Sequence, residues 1–245
     1  MLNRHNLQRG MTLIELMVAG VIALIALSSV LTVYSATATH SSQQLQQAHL
    51  YQQLRGMMHL IGSDLKRAGY RSFSPNLLAP SDNPFQNQTN QVRIQSYTGE
   101  SPDSCILLSY DLDQDGLVGV GRCDGSGCTN QTDDDNVEQF GYRLRDVRIQ
   151  SRYGGNTFDC ESGYWQTVND PDIEITQLRF AQQSQCLNLI ENNRDCSSGA
   201  SQLIQGGIEI QLDGQISNKP DTAVTLTHWV RIRNDLLREG DSDAN

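Results

Sequence analysis

From Met11 to Val33 the chain runs for 23 residues with a single ionisable side chain, Glu15. A bilayer core is spanned by about 20 predominantly apolar residues in a helix, so this run is long enough to cross one. Beyond Tyr34 the pattern changes, but nothing breaks it: no proline occurs before Pro75. Leu50, Leu54, Met57, Ile61 and Leu65 follow at spacings of four, three, four and four, which places them on one stripe of a helix. Gln52, Gly56, His59 and Ser63 fall on the opposite face, and Leu45 lies off the stripe. Lys66 and Arg67 sit where cations favour the helix dipole, and Gly69 suits the left-handed residue that ends a helix. The pattern predicts one helix over residues 11–68, about 85 Å long. Residues 11–34 form its transmembrane half and 35–69 its amphipathic half. Gly56 and Gly62 weaken its interior by on the order of 1 kcal/mol each. Few charges flank the stripe, so packing against the chain's own domain is favoured over a coiled-coil seam.

From residue 70 the period is lost. A proline-containing stretch from Tyr70 to Gln88 reads as a loop, and short alternating runs follow it. The strand-like segments are Val92–Tyr97, Cys105–Leu112, Glu138–Gln150, Tyr164–Val168, Ile173–Ala181, Gly207–Asp213 and Ala223–Asn234. One long helix followed by sheet predicts an α+β fold, in which the helix packs on an antiparallel β-sheet domain spanning 70–245.

Charge and cysteine content narrow the function. A net charge of −10 argues against nucleic acid as a partner, since such binding needs a basic footprint. Arg4 and Arg9 precede the apolar run, which favours a cytoplasmic N-terminus and an exported remainder. All six cysteines lie in that remainder, where an even number suits disulfides. There is no C-x-x-C, and His228 is the sole histidine beyond residue 60, so a thiolate metal site is the weaker reading. Proximity pairs Cys123 with Cys128 and Cys186 with Cys196, leaving Cys105 with Cys160. This is one of fifteen possible connectivities.

The sharpest local motif is D-x-D-x-D-G at Asp111, Asp113, Asp115 and Gly116, the first half of an EF-hand loop. Position 12 of that loop is Arg122, where a bidentate glutamate is needed, so no complete EF-hand forms. Either the three aspartates bind Ca²⁺ with other oxygens, such as those of Asp133–Asp135, or they make a solvated acidic turn. The turn, with no cofactor, is the expectation. Gly119–Gly127 lacks phosphate-loop spacing and reads as a disulfide-closed turn. His228 lies in a strand-like run with no evident catalytic partner, so the chain is not expected to be an enzyme.

An acid in a membrane helix needs a reason, because at the bilayer centre it costs about 2.5–3.5 kcal/mol. Glu15 could simply favour the positive end of the helix dipole. But a short basic leader, then Gly10 and Met11-Thr12-Leu13-Ile14-Glu15, then an apolar helix, resembles the class III signal of type IV pilins and type II secretion pseudopilins. The resemblance implies cleavage between Gly10 and Met11 by prepilin peptidase, which makes residues 1–10 a leader peptide, and N-methylation of Met11. It gives Glu15 an assembly role, pairing with the N-terminal amine of a neighbouring subunit. Met11 stands where most pilins have phenylalanine, and Thr32 where major pilins often have proline. "LIGSDLKRAGYRS", "FGYRLR" and "VRIRN" are similar to the PilW family of minor pilins, and less so to the GspJ-type minor pseudopilins.

That family implies a subunit of the complex that primes pilus assembly, held in the inner membrane with its C-terminal domain in the periplasm and later sited at the pilus tip. Its implied partners are other minor pilins, the major pilin, prepilin peptidase and the inner-membrane assembly platform. One alternative is a minor pseudopilin of type II secretion. Another is a secreted Ca²⁺-binding or adhesive domain whose first 38 residues, ending in "ATA" at Ala36–Ala38, are an ordinary signal.

Overall fold

Helix α1 runs from Leu13 to Arg67, within two residues of the expected limits. The computed structural model describes residues 10–72, 83–119, 121–124, 127–130, 137–189 and 201–238, with 121–124 and 127–130 described by their backbone alone. The chain divides into two compact units at Ala48/His49, within α1.

In the first unit the apolar side chains from Met11 to Tyr34 are exposed, as lipid-facing residues of a span would be. The hydroxyls in this stretch are satisfied by the helix itself. Ser28, Ser29 and Thr32 donate to the carbonyls of Ile25, Ala26 and Ser28, each at 2.8 Å. Such back-bonding leaves none of these hydroxyl donors for the hydrocarbon to solvate, so Ser28, Ser29 and Thr32 do not disqualify the span.

In the second unit the predicted stripe is the packed face. Leu50, Leu54, Ile61 and Leu65 are fully buried, and Met57 nearly so. Met58 and Ala68 widen the stripe. Gly62 faces strand β10 (Lys219–Arg231), where a Cβ would stand 3.3 Å from Val230 Cγ2. Its helix-propensity cost is offset by this close approach, whereas Gly56 faces open space. Gly69 closes the helix at φ +73°, the Tyr70 N–H donates back to the Arg67 carbonyl, and Asn234 Nδ2 donates to the carbonyls of Arg67 and Ala68.

Two antiparallel sheets complete the α+β fold. The first has the order β1 (Arg93–Gln95), β2 (Cys105–Ser109), β5 (Gln139–Arg145), β6 (Arg148–Gly154) and β7 (Tyr164–Thr167). The second centres on β9 (Gln202–Ile216), with β8 (Ile173–Asn188) on one edge and β10 and β11 (Leu236–Arg238) sharing the other. A separate hairpin, β3 (Gly121–Asp124) with β4 (Gly127–Asn130), occupies the segment expected as a turn. The main core joins the stripe of α1 to Ile106, Leu108, Tyr142, Phe180, Ile210 and Leu212, among others.

Strand β2 is buried along its whole length, and alternation splits its side chains between two cores. Ile106 and Leu108 join the main core, while Cys105 and Leu107 meet Cys160, Phe158 and Trp165 under the 155–163 loop. The Cys105–Cys160 disulfide, paired as expected, links residues 55 apart. Closing a loop of that length is worth roughly 4 kcal/mol in the chain-entropy model. A Cys105→Ser, Cys160→Ser double variant is therefore expected to lose about 2–4 kcal/mol in urea unfolding of the detergent-solubilised chain.

Several segments depart from expectation. Glu138–Gln150 is not one strand but the β5–β6 hairpin, turned by Asp146 and Val147 at φ 49° and 57°. Strands β8, β9 and β10 are all longer than predicted, and β2 ends at Ser109 because the chain after Tyr110 turns into a loop of aspartates. Strand β11 was not expected at all.

Candidate functional site

Gly10, Met11 and Thr12 precede the first helical residue and are exposed, so the bond between Gly10 and Met11 lies in non-helical, accessible backbone. The helix then opens with a capping box. Thr12 Oγ1 accepts from the Glu15 N–H at 3.3 Å, and Glu15 Oε2 accepts from the Thr12 N–H and hydroxyl, both at 3.0 Å. Both bonds fall on Oε2. Glu15 Oε1 accepts none among the described residues, which leaves one face of the carboxylate for another chain's donor. Thr-x-x-Glu is legible in the sequence as a cap, a role the pilin resemblance did not draw out.

The three aspartates of the D-x-D-x-D-G motif converge. One carboxylate oxygen from each of Asp111, Asp113 and Asp115 lies within 4.8 Å of the others. Two of the three are not solvated, as a simple acidic turn would have them. Asp111 is 3% and Asp115 7% exposed, while Asp113 faces out. Asp111 accepts from the N–H groups of Gln114 at 2.7 Å, Gly116 at 3.1 Å and Ser72 at 2.8 Å. Glu138, buried in the turn immediately before β5, braces the loop by accepting from Leu112 and Gly119 at 2.6 and 2.9 Å. Burial pushes the Glu138 carboxyl up to about 7, against the pull of those N–H groups and that of Asp113. Asp115 is also raised, by burial first and then by the charges of Asp113 and Asp111. Asp133–Asp135, considered as further ligands, lie outside the described residues.

Of the other disulfides, Cys186 is bonded, but its expected partner Cys196 lies outside the described residues. Cys123 and Cys128 are directly opposed in the β3–β4 register, and their side chains are likewise outside the description. His228 is exposed on β10, opposite Ile210.

Asp64 is the residue that pattern reading missed. It is buried on the packed face of α1 and gathers three donors: Tyr142 Oη at 2.5 Å, Arg67 Nη2 at 2.8 Å and Tyr110 Oη at 3.3 Å. The signal was present, because Asp64 follows Ile61 by three and Met57 by seven, which puts an acid on the apolar stripe. Burial, together with the Asp64 charge, holds both phenols far above the usual tyrosine range, so they remain donors.

A family model described as prepilin peptidase-dependent protein B matches residues 43–232, more than half the chain. A second, the prokaryotic N-terminal methylation motif, matches residues 5–31, which span the Gly10–Glu15 segment. An uncharacterized protein of Haemophilus influenzae is 26% identical over 209 residues, covering 74% of this chain and 79% of its own. No solved structure matches.

Proposed function

Because this chain belongs to the prepilin peptidase-dependent protein B family, we propose that it is a minor type IV pilin of PilW-like character, one subunit of the complex that primes pilus assembly. At the coarser level it is a type IV pilin-like subunit, anchored in a membrane by the apolar half of α1. The finer reading places its N-terminus in the cytoplasm, its β-domain in the periplasm and its final position at the pilus tip. Its partners are other minor pilins, the major pilin, prepilin peptidase and the inner-membrane assembly platform. In this reading the chain is a structural subunit and not an enzyme.

The observation that carries the proposal is the coincidence of the methylation motif with an uncovered helix start. Gly10 and Met11 are accessible, and Glu15 keeps one oxygen open beside the bond to be cut. Cleavage there converts the Met11 amide nitrogen into a cationic amine, and a carboxylate four residues on, in a neighbouring subunit, is its natural counter-charge in lipid.

The test is mass spectrometry of the N-terminus in native membranes, with and without prepilin peptidase. A chain beginning at N-methylated Met11, and dependent on that peptidase, is the expected result. A chain beginning at Thr39 would show an ordinary secretory signal and overturn the proposal, as would an intact Met1 in the presence of the peptidase. Deletion of the gene, scored for pili and for secreted enzymes, separates a pilus from a type II secretion machine.

A further inference from the structure

We propose that the loop from Asp111 to Gly119 is a Ca²⁺ site, with Asp111, Asp113 and Asp115 as its carboxylate ligands. Two observations carry this independently. The first is span: oxygens of one coordination sphere stand no further apart than twice the metal–oxygen bond, which for Ca²⁺ is about 2.4 Å. The three carboxylates meet that limit, all within 4.8 Å.

The second is an orphaned atom. Asp115 is 93% buried, its Oδ1 accepts from the Leu117 N–H at 2.7 Å, and its Oδ2 is inaccessible to solvent with no hydrogen-bond partner. A buried carboxylate oxygen without a partner is strongly unfavourable on its own, the more so on a residue that stands against two further carboxylates. Among the described residues neither Asp111 nor Asp115 nor Glu138 makes an ion pair. A bound cation supplies the missing partner and cancels the repulsion in one step.

The donor set selects the ion. All the ligands are hard oxygens with no sulfur or imidazole, which disfavours zinc and copper, and Mg²⁺ demands a tighter, near-octahedral shell. Asp113 at the surface leaves the outer side open to water, and loops of this pattern add a backbone carbonyl at position seven, here Leu117. Arg122 at position twelve supplies no carboxylate, so affinity falls in the range of extracellular modules, about 10⁻⁴–10⁻³ M.

The site lies where rigidity matters. Asp111 N–H donates to Tyr70 O at 2.9 Å and Asp111 Oδ2 accepts from Ser72 N–H, so the ion would tie the chain leaving α1 to the end of β2.

The experiment uses the full chain, purified in detergent and freed of metal by chelation, and follows thermal unfolding against CaCl₂ alone. A rise in Tm of about 3–6 °C at about 10 mM Ca²⁺ is expected, with a much smaller response to equal MgCl₂. Asp115→Asn should abolish the Ca²⁺ response while the metal-free protein stays folded, since the change relieves like-charge repulsion. Asp113→Asn, at an exposed position where the amide oxygen can still accept from the Asp115 N–H, should weaken binding at least about 10-fold. A parent chain with neither a thermal shift nor calorimetric heat with Ca²⁺ would overturn the proposal. An undiminished response in both variants would do the same, by assigning the effect to the general acidity of the surface.

Discussion

A Glu15→Gln chain is expected to be cut and methylated like the parent, yet to be missing from assembled fibres. The choice of glutamine separates the capping role seen in the structure from the assembly role proposed for this residue. The capping box with Thr12 needs an acceptor oxygen at Glu15, and glutamine has one, so the start of α1 is kept. What glutamine lacks is the charge. If the carboxylate pairs with a neighbour's N-terminal amine inside the bilayer, its loss leaves an ammonium buried without a counter-charge. Breaking a buried pair from one side costs about 3–5 kcal/mol, a factor of roughly one hundred to several thousand in association. Immunoblotting of sheared fibres against membranes should find the variant in the membrane fraction alone, with mass spectrometry confirming a mature N-terminus. Glu15→Leu loses both cap and charge, and should do no worse in fibres than Glu15→Gln. Normal incorporation of the glutamine chain would reduce Glu15 to a helix cap and refute the assembly role.

The helix was legible because its signals agree. The apolar run, the stripe from Leu50 to Leu65 and the cap at Gly69 all name the same element, and the structure returns it within two residues at each end. The strands were harder, for reasons that can be located. Hairpin turns of two residues with positive φ favour Asn-Gly or Asp-Gly, and β-branched Val147 at φ 57° gives no such signal between β5 and β6. In β8 the buried set changes phase, from Ile173 and Ile175 to Leu178 and Phe180, because a bulge shifts the register between Ile175 and Gln177. Simple alternation therefore understates how far that strand runs.

The two buried arginines that hold the 155–163 loop were equally silent in sequence. Arg143 reaches the Cys160 carbonyl and Arg152 those of Gln139, Gly155 and Thr157, yet strand arginines normally read as solvent-facing. For the acidic loop, the motif could be read but its burial could not. That depends on Glu138 arriving from 23 positions beyond Asp115, to hold the Leu112 and Gly119 amides.

Truncation of Asp64 is expected to be the most damaging single change in the second unit, costing about 3–5 kcal/mol for Asp64→Ala. The carboxylate is the shared acceptor of Tyr142, Tyr110 and Arg67, and Tyr110 in turn stacks on Phe140 with ring centroids 4.2 Å apart. Removing it strands two phenolic donors in an apolar layer, each worth about 1–3 kcal/mol of desolvation. The Arg67 ion pair adds little, since half of that side chain is in solvent. It also holds its guanidinium 4.8 Å over the Tyr110 ring, a contact that survives the loss of the acid.

Asp64→Asn keeps an acceptor and should cost far less than alanine. Tyr142→Phe removes a donor, leaves Asp64 with its other two, and should fall between them. If the network is one unit, Asp64→Ala combined with Tyr142→Phe will be less destabilising than the two single changes added together, by at least about 1 kcal/mol in urea unfolding. The phenylalanine has already removed one of the donors that the alanine would strand. Strict additivity would mean that these groups are neighbours without being coupled, and that the junction of α1 with β5 rests on the apolar stripe alone.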